Sequence, residues 1–285
     1  MSNKKSIHTV VEDIYNLFSD ESKIEIAEKD MKAFTKAVAS SIKKSVEEDR
    51  KQKGKLRMSL VGHPNRKIWY EVNKAPQETL SPQDRIKFLY GDILEHLLVL
   101  LVKTAGHKVT DEQKEVSING VVGHLDAKVD DVVVDFKSAS AFGFKKFKNS
   151  SLVGDDPFGY IAQISSYAQA EGQKEAAFIA IDKQSGEIAC LNVHDLEMIN
   201  SEKRISFLQG IVEKETPPER CYEDVPEGKS GNRRLDTGCN YCQFKAHCWK
   251  DANGGKGLRA FMYANGVKYL TKVANEPDVP EIAVE

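Results

Sequence analysis

The sequence lacks any apolar run that approaches the ~18 residues needed to span a membrane. Its first residues, MSNKKSIHTVVEDIY, also lack the apolar core of a signal peptide. Neither sign of charge is in large excess, since 41 Lys and Arg stand against 43 Asp and Glu, a net charge of −2. We therefore expect a cytoplasmic protein whose bulk charge does not by itself predict a nucleic-acid partner.

Cysteine is scarce, with five residues in the chain, three of them between Cys239 and Cys248. In a cytoplasmic protein this crowding favours a metal site over disulfides. The spacing of Cys239, Cys242 and Cys248 is typical of metal ligands, Cys221 is the candidate fourth ligand, and zinc and an iron–sulfur cluster fit equally. The surrounding segment is poor in apolar residues, so thiolate–metal bonds are expected to hold it. Cys190 lies in an apolar segment and is predicted to be a core residue.

Hydrophobic residues make up 40% of the chain and charged residues 29%, as in a folded globular protein. The sequence divides into a charged helical N-terminal region over 1–57, a core over 58–213, a Cys-rich metal-binding segment over 214–252 and a tail over 253–285. Within the N-terminal region, 51–57 is predicted to be a mobile basic connector. The last ten residues are expected to be disordered.

The stretch GHLDAKVDDVVVDFK, residues 123–137, predicts two strands joined by a turn at Asp130-Asp131. The predicted pairs are Val129 with Val132, Lys128 with Val133, Ala127 with Val134 and Asp126 with Asp135. Opposed Cβ atoms lie ~4.5–5.5 Å apart, so two facing carboxylates repel unless a cation lies between them. Carboxylate oxygens suit Mg²⁺ or Mn²⁺, and Lys137 shares the face of Asp135. The alternative is that these acidic residues are simply solvated beside a hairpin.

Ser81-Pro82 predicts the start of a long helix that runs to about Thr104. Its second half is almost wholly apolar except for Glu95 and His96. A carboxylate in such a segment needs a partner, for which a metal ion qualifies, or else lies on an exposed edge. Further predicted elements are a hairpin at Asn119-Gly120, a polar basic loop over 138–156, a helix over 158–171, a hairpin around 184–186 and a helix over about 194–213.

Two basic groups are candidates for phosphate contacts. Arg66 and Lys67 lie beside Trp69 and Tyr70, a mixture that can stack on bases, although an amphipathic helix explains the pattern equally well. Lys145 and Lys146 belong to the second group, in the predicted basic loop. Either group could instead be a solvated surface.

The ordered segments GDILE, GHLD, DFK and QISSY resemble the motifs of the PD-(D/E)XK nuclease superfamily, in its RecB-like branch, and the resemblance spans about residues 60–250. It implies an α/β fold of the restriction-endonuclease-like type, with a central mixed β-sheet flanked by helices, plus a helical N-terminal region and a C-terminal Cys knuckle. It also implies that Glu95, Asp126 and Asp135 hold Mg²⁺ (or Mn²⁺), that Lys137 orients or deprotonates water, and that Gln163 and Tyr167 position nucleic acid. The family's usual His is Glu95 here, and His96 faces about 100° away, so His96 is expected to be supporting or structural.

The resemblance implies a Mg²⁺-dependent deoxyribonuclease, an exonuclease that acts on linear DNA ends or single strands. It would act in replication, recombination or end processing, with proteins of those processes as partners. A phage genome is one possible origin of the gene. The alternatives are a structure-specific endonuclease and a non-catalytic DNA-end-binding accessory protein. Some relatives, such as CRISPR-adaptation nucleases, carry a [4Fe–4S] cluster on three C-terminal cysteines. The resemblance thus favours that cluster, with Cys221 or His63 as fourth ligand; structural zinc and no metal are the alternatives.

Overall fold

The computed structural model describes residues 5–19, 24–48 and 54–284. Its helices are α1 Val10–Asn16, α2 Glu28–Glu47, α3 Asn65–Val72, α4 Pro82–Thr104, α5 Ala141–Lys148, α6 Tyr160–Ala170, α7 Ser201–Val212, α8 Thr237–Asn240, α9 Lys245–Cys248 and α10 Ala252–Gly255. Its strands are β1 Val109–Thr110, β2 Glu115–Ile118, β3 Val121–His124, β4 Ala127–Val129, β5 Val132–Ala139, β6 Glu175–Asp182, β7 Ile188–His194, β8 Val225–Pro226, β9 Arg233–Arg234, β10 Arg259–Tyr263, β11 Gly266–Lys272 and β12 Glu281–Ile282. Within these described ranges, no helix combines the length and apolar character that a membrane crossing requires.

The chain forms two compact units. The first contains Met1–Lys51, Leu56–Gly62 and Pro82–Phe207, and the second contains Gln52–Lys55, His63–Ser81 and Leu208–Glu285. Segment His63–Ser81 therefore belongs with the C-terminal third of the chain, a grouping that no local sequence pattern indicates. The boundaries expected at residues 57, 213 and 252 stay predictions, and part of the predicted connector, 51–53, lies outside the described residues.

The first unit is built on a mixed sheet of five strands in the order β1-β4-β5-β6-β7. The β5–β6 pair is parallel, and the other pairs are antiparallel. Strand β6 is buried along almost its whole length, as expected for a strand covered on both faces. Helices flank this sheet, which is the α/β architecture that the sequence predicts.

The two faces of β5 differ in character. Val134 and Phe136 lie in a fully apolar cluster with residues of α1 and α4, among them Ile14, Leu98 and Val102. Because side chains alternate along a strand, Asp135 and Lys137 point to the opposite face. On that face Phe178 of β6 contacts Phe147 of α5 and Tyr160 of α6.

The predicted hairpin register is confirmed: Val129 pairs with Val132, Lys128 with Val133 and Ala127 with Val134. Asp130 and Asp131 have φ of 50° and 72°, the left-handed values of a type I′ turn, in which Asp is tolerated. The hairpin at Asn119-Gly120 and the one around 184–186 are also present.

Two predictions in the first unit are wrong. The predicted basic loop contains α5, which Ser140 caps by accepting a hydrogen bond from Gly143 N–H at 3.4 Å. Phe144 and Phe147 are buried on that helix, so apolar burial at helical spacing overrides the polar composition. Helix α7 begins at Ser201 instead of near His194, because β7 continues through His194.

The second unit contains a five-stranded antiparallel sheet in the order β12-β10-β11-β9-β8. Strands β8 and β9 lie in the predicted Cys-rich metal-binding segment over 214–252. The expected disorder of the last ten residues is wrong, since Ala260 and Phe261 of β10 pair with Ile282 and Glu281 of β12. Leu235, Trp249, Ala252 and Leu258 form a small apolar cluster beside this sheet.

Candidate active site

Three carboxylates from separate elements lie close together in the first unit. Glu95 comes from α4, Asp126 from the turn before β4, and Asp135 from the middle of β5. The β4–β5 ladder ends at Ala127 and Val134. The Asp126 carboxylate then accepts a hydrogen bond from the Phe136 N–H at 2.9 Å. This contact fixes the Asp126 carboxylate at the edge of β5 beside Asp135.

Burial and mutual repulsion raise the pKa values of two of these carboxyls. Burial raises the pKa of Glu95 to about 8, with further contributions from the charges of Asp126 and Asp135. Burial likewise raises the pKa of Asp126 to about 7, with Asp135 as the next contributor. Asp135 itself is only 1% exposed. A cation placed among these groups would therefore relieve both desolvation and repulsion.

Lys137 supplies the positive charge of the site. Its ammonium forms an ion pair with the carboxylate of Asp135. Burial alone would lower the pKa of Lys137, but the charges of Asp135 and Asp126 outweigh it and raise that pKa. Lys137 is therefore an ammonium at neutral pH, a state that donates hydrogen bonds and does not accept protons.

Gln163 and Tyr167 of α6 complete the site from above β5. The Gln163 side-chain amide donates to Asp135 Oδ1 at 3.4 Å and to the Tyr167 hydroxyl at 3.1 Å. Tyr167 is 3% exposed, and burial raises its pKa. The role of these two residues in nucleic-acid binding stays a prediction; what the structure shows is that the Gln163 amide bridges Asp135 and Tyr167.

Gly123 of the GHLD segment makes room for Tyr167. A Cβ at Gly123 would lie 2.7 Å from Tyr167 Cε1 and 2.7 Å from Met58 Cβ, closer than side chains pack. The glycine thus lets the β3 backbone approach the Tyr167 ring. Gly91 plays a milder role, since its added Cβ would meet Ser138 Oγ at 3.4 Å.

Two residues near the carboxylates escape the sequence analysis as members of the site. The Gln113 side-chain amide donates to Glu95 Oε1 at 3.4 Å, and the Tyr160 ring lies under Lys137 Nζ, 5.1 Å from it. Gln113 stands in a turn that no motif marks. Tyr160 shares a helix face with Gln163 and Tyr167 through i,i+3 and i,i+4 spacing, which is the signal that could have found it.

His96 turns away from the carboxylates, as its helical position predicts. Its Nε2 is 3.0 Å from Ser41 Oγ of α2, and burial lowers its pKa. His96 therefore ties α4 to α2.

The three carboxylates are the right type of ligand for a hard divalent cation, but their side chains are not placed to bind one ion together. Three carboxylates, two of them with raised pKa values, are the ligand type that Mg²⁺ and Mn²⁺ prefer. Among the residues that the structure describes, however, no three His, Cys, Asp or Glu side chains form a ready-made site for one ion. The Lys137 ammonium lies against Asp135 instead. Metal binding would therefore require Lys137 or the carboxylates to shift by side-chain rotation.

The basic residues predicted to bind nucleic acid fall into different units. Lys145 is exposed on α5, while Lys146 pairs with Asp155 at 2.7 Å. Arg66 and Lys67 belong to the second unit. There Arg66 donates to the Tyr70 hydroxyl at 2.9 Å. Their contacts with nucleic acid stay predictions.

The cysteines of the second unit lie near one another. Burial, with the neighbouring Cys242 and Cys248 thiols and more weakly Cys221, raises the pKa of Cys239 to about 12. Burial also raises the pKa values of Cys221 and Cys242. All five cysteines are free thiols, and Cys190 packs against the apolar core of the first unit. Thiolate ligation would require these thiols to lose their protons, so the iron–sulfur or zinc site stays a prediction.

Comparisons with known proteins give distant structural likenesses alone. No family model matches the chain, and no curated protein matches it. An alkaline exonuclease from Laribacter hongkongensis is 18% identical, with a TM-score of 0.41 over 57% of this chain and 89% of that chain. The same enzyme in complex with dAMP gives a TM-score of 0.37 at 15% identity, over 63% of this chain and 94% of that chain. A phage-related exonuclease from Haemophilus somnus 129PT is 16% identical, with a TM-score of 0.41 over 55% of this chain and 92% of that chain. Likenesses of this size do not assign an activity to this chain.

Proposed function

We propose that the chain is a Mg²⁺-dependent deoxyribonuclease of the RecB-like type, an exonuclease that hydrolyses phosphodiester bonds at DNA ends. The observation that carries the proposal is the meeting of the buried Asp135 with the half-buried Glu95 and Asp126, two carboxyls whose pKa values are raised, with the Lys137 ammonium against Asp135. Unpaired buried charge is costly. Carboxylates with raised pKa values and a charged partner are therefore candidates for a working site.

The residues divide the chemistry among them. Glu95, Asp126 and Asp135 would hold the metal, and bound Mg²⁺ supplies a Lewis acid for the scissile phosphodiester and acidifies water. Lys137, with its raised pKa, donates to phosphoryl oxygens as negative charge develops on them. Gln163 keeps Asp135 oriented through its 3.4 Å contact with Oδ1. A lysine that remains an ammonium favours charge stabilisation over proton abstraction.

The experiment is cleavage of linear and covalently closed circular DNA by the purified protein with Mg²⁺ or Mn²⁺. An exonuclease degrades the linear form and spares the circle, whereas an endonuclease attacks both. Asp135→Ala should abolish cleavage. Asp131→Asn is the matched control, because Asp131 lies in the β4–β5 turn with a 77% exposed side chain and Asn tolerates its positive φ. Wild-type rates from Asp135→Ala would refute the proposed centre.

A second candidate is a DNA-end-binding protein without catalysis. The observation that favours it is the contact of Lys137 with Asp135, together with the lack of a ready-made three-ligand arrangement among the described side chains. Such a protein would bind DNA ends with the same affinity in Mg²⁺ and in EDTA and would leave both DNA forms intact. The cleavage assay separates the two candidates directly.

A further inference from the structure

Tyr160 links the proposed catalytic lysine to an exposed aromatic ring. Lys137 Nζ lies 5.1 Å from the centroid of the Tyr160 ring. The Phe158 ring is stacked on Tyr160, with centroids 5.4 Å apart and an interplanar angle of 28°. Phe158 is 57% exposed. A stacked pair of rings therefore leads from Lys137 to the solvent.

Buried rings hold Tyr160 from behind. Its centroid is 6.1 Å from Phe147 and 6.3 Å from Phe178, and those two residues are 3% and 0% exposed. Phe158 is the member of this cluster whose ring reaches far into water. The cluster thus presents one open aromatic surface and supports it with three packed rings.

The backbone that carries Phe158 is fixed on both sides. Gly159 has φ of 75° and crosses Gly62 so closely that a Cβ on Gly62 would lie 2.2 Å from the Gly159 oxygen. Asp156 accepts a hydrogen bond from the Ile161 N–H at 2.8 Å. A ring held in this way loses little further freedom when a ligand stacks on it, which favours binding.

A nucleobase is the ligand that fits an exposed ring beside a phosphodiester-cleaving centre. Stacking of one base on an aromatic side chain is worth about 5- to 150-fold in affinity and tolerates any base sequence. Inside a duplex, neighbouring bases cover both faces of each base. A base must therefore be unpaired or terminal to offer a face to Phe158.

We propose that Phe158, supported by Tyr160, is a stacking platform for an unpaired nucleobase, so that the centre acts on single-stranded DNA or on a frayed end. This inference rests on the proposed function and adds the strandedness of its substrate. The exposed Lys145 lies on α5, the helix whose Phe147 contacts Tyr160. A positive side chain there complements the phosphates of a strand whose base lies on Phe158.

The test is binding of a 12-nucleotide single strand that contains 2-aminopurine, whose fluorescence falls when the base stacks. Ca²⁺ replaces Mg²⁺, and a gel checks that the strand remains intact. The wild type should quench the probe, and a blunt duplex of the same sequence should bind more weakly. Phe158→Ala should lower single-strand affinity by about 5- to 150-fold and abolish quenching, whereas Phe158→Trp should retain both.

Phe207→Ala is the matched control, because Phe207 is an aromatic residue of similar exposure, 52%. Its ring contacts the Arg204 guanidinium, whose Cζ is 5.7 Å from the ring centroid. It should bind and quench as the wild type does. Equal binding by Phe158→Ala and Phe207→Ala, or a wild type that does not quench the probe, would overturn the platform. The proposed function has a separate readout: a platform can quench in Ca²⁺ even if no DNA is cleaved in Mg²⁺, and cleavage can persist without a platform.

Discussion

The two units of the chain bury their strands to different degrees. In the first unit, β5 has four consecutive buried residues and β6 seven. In the second unit, β10 and β11 have only two buried residues each, and Met262 of β10 is exposed. Desolvation is the largest cause of the raised pKa values of Glu95 and Asp126, and repulsion between the carboxylates adds to it. The continuous burial of the first unit therefore explains why the candidate catalytic centre can form there.

The second unit is held together by ion pairs and small apolar clusters. Arg259 pairs with Glu281 at 2.6 Å and also with Glu276, and Thr271 donates to Asp224 at 2.6 Å. Leu235 is fully buried although it lies in a segment that the sequence analysis regards as too poor in apolar residues to hold itself. Thiolate–metal bonds are therefore not the single means of ordering this region.

After Asp135→Ala, removing the Lys137 ammonium should have the largest effect, and it tests whether the burial of the first unit serves catalysis. Lys137→Ala should lower cleavage of linear DNA by about 10²–10³-fold, the usual cost of one lost charge-stabilising donor. Initial rates in Mg²⁺ and circular dichroism of the variant provide the measurement. Lys148→Ala, which removes an exposed lysine paired with Glu187 at 2.5 Å, should leave the rate unchanged. Equal rates for the two variants would contradict the role of Lys137.

Breaking a buried ion pair in the second unit should destabilise that unit selectively. Lys245 pairs with Glu78, and their side chains are 8% and 16% exposed. Glu78→Ala would leave the ammonium buried without its partner, at a cost of about 3–5 kcal/mol. Hydrogen exchange should then accelerate in β9 and β11 and remain slow in β5 and β6.

The exposed pair of Arg259 with Glu276 gives the control for this comparison. The Glu276 side chain is 63% exposed, and surface pairs contribute little. Glu276→Ala should therefore leave hydrogen exchange unchanged in both sheets. Acceleration in β5 and β6 by Glu78→Ala would show that the units do not unfold separately.

The difference between the units also explains what the sequence could predict. The β4–β5 register follows from a local turn and a β-branched run, and the structure confirms three of its pairs, Val129 with Val132, Lys128 with Val133 and Ala127 with Val134. Asp126 and Asp135 could be placed near each other on that register alone. By contrast, β9 pairs with β11 across more than thirty residues, Leu270 with Arg234, and two-residue strands carry no periodic pattern.

Within the site, the predictable part is what local periodicity fixes. Gln163 and Tyr167 share a helix face, and both reach the Asp135 side of the sheet. Gln113 could not be predicted, because its contact with Glu95 depends on how the β1–β2 turn packs against α4. The position of Arg66 and Lys67 also depends on tertiary structure, since the segment His63–Ser81 belongs to the second unit.

A metal ion bound by the cysteines would stabilise the second unit through metal–thiolate bonds, which the first unit does not need because its strands are buried. Protein purified without oxygen should be brown, with about four irons per chain for a cubane cluster, or colourless with one zinc. Cys242→Ser should remove the metal and speed proteolysis between residues 215 and 250. Cys190→Ser, which alters a thiol of the first unit, should retain the metal. Metal-free protein that resists protease in this segment would show that Leu235 and its neighbours suffice.

Gly123→Ala should destabilise the first unit by less than Glu78→Ala destabilises the second. The new Cβ would meet Met58 and Tyr167 at 2.7 Å, and overpacking of this kind costs about 1–3 kcal/mol. A shift of Tyr167 would also release Gln163 from Asp135, so cleavage should fall together with the melting temperature. Gly154→Ala is the control, because its Cβ would meet nothing nearer than Ser151 O at 4.0 Å. A melting temperature equal to that of the control would mean that the β3 backbone yields easily at this point.

The smallest expected effect is a dependence of stability on pH that belongs to the first unit. In the folded protein the pKa of Glu95 is about 8 and that of Asp126 about 7, against usual values of 4.5 and 3.8. The folded state therefore binds more protons than the unfolded chain between about pH 4 and 8, so this contribution to stability is present at low pH and is lost as pH rises through that window. In EDTA, the melting temperature of the first unit should fall between pH 6 and 8.5. Asp126→Asn, which keeps an acceptor for the Phe136 N–H, should flatten that slope.

Because metal competes with these protons, millimolar Mn²⁺ should raise the melting temperature more at pH 8 than at pH 6. A wild-type slope that Asp126→Asn leaves unchanged, measured by calorimetry, would locate the titrating groups outside this centre.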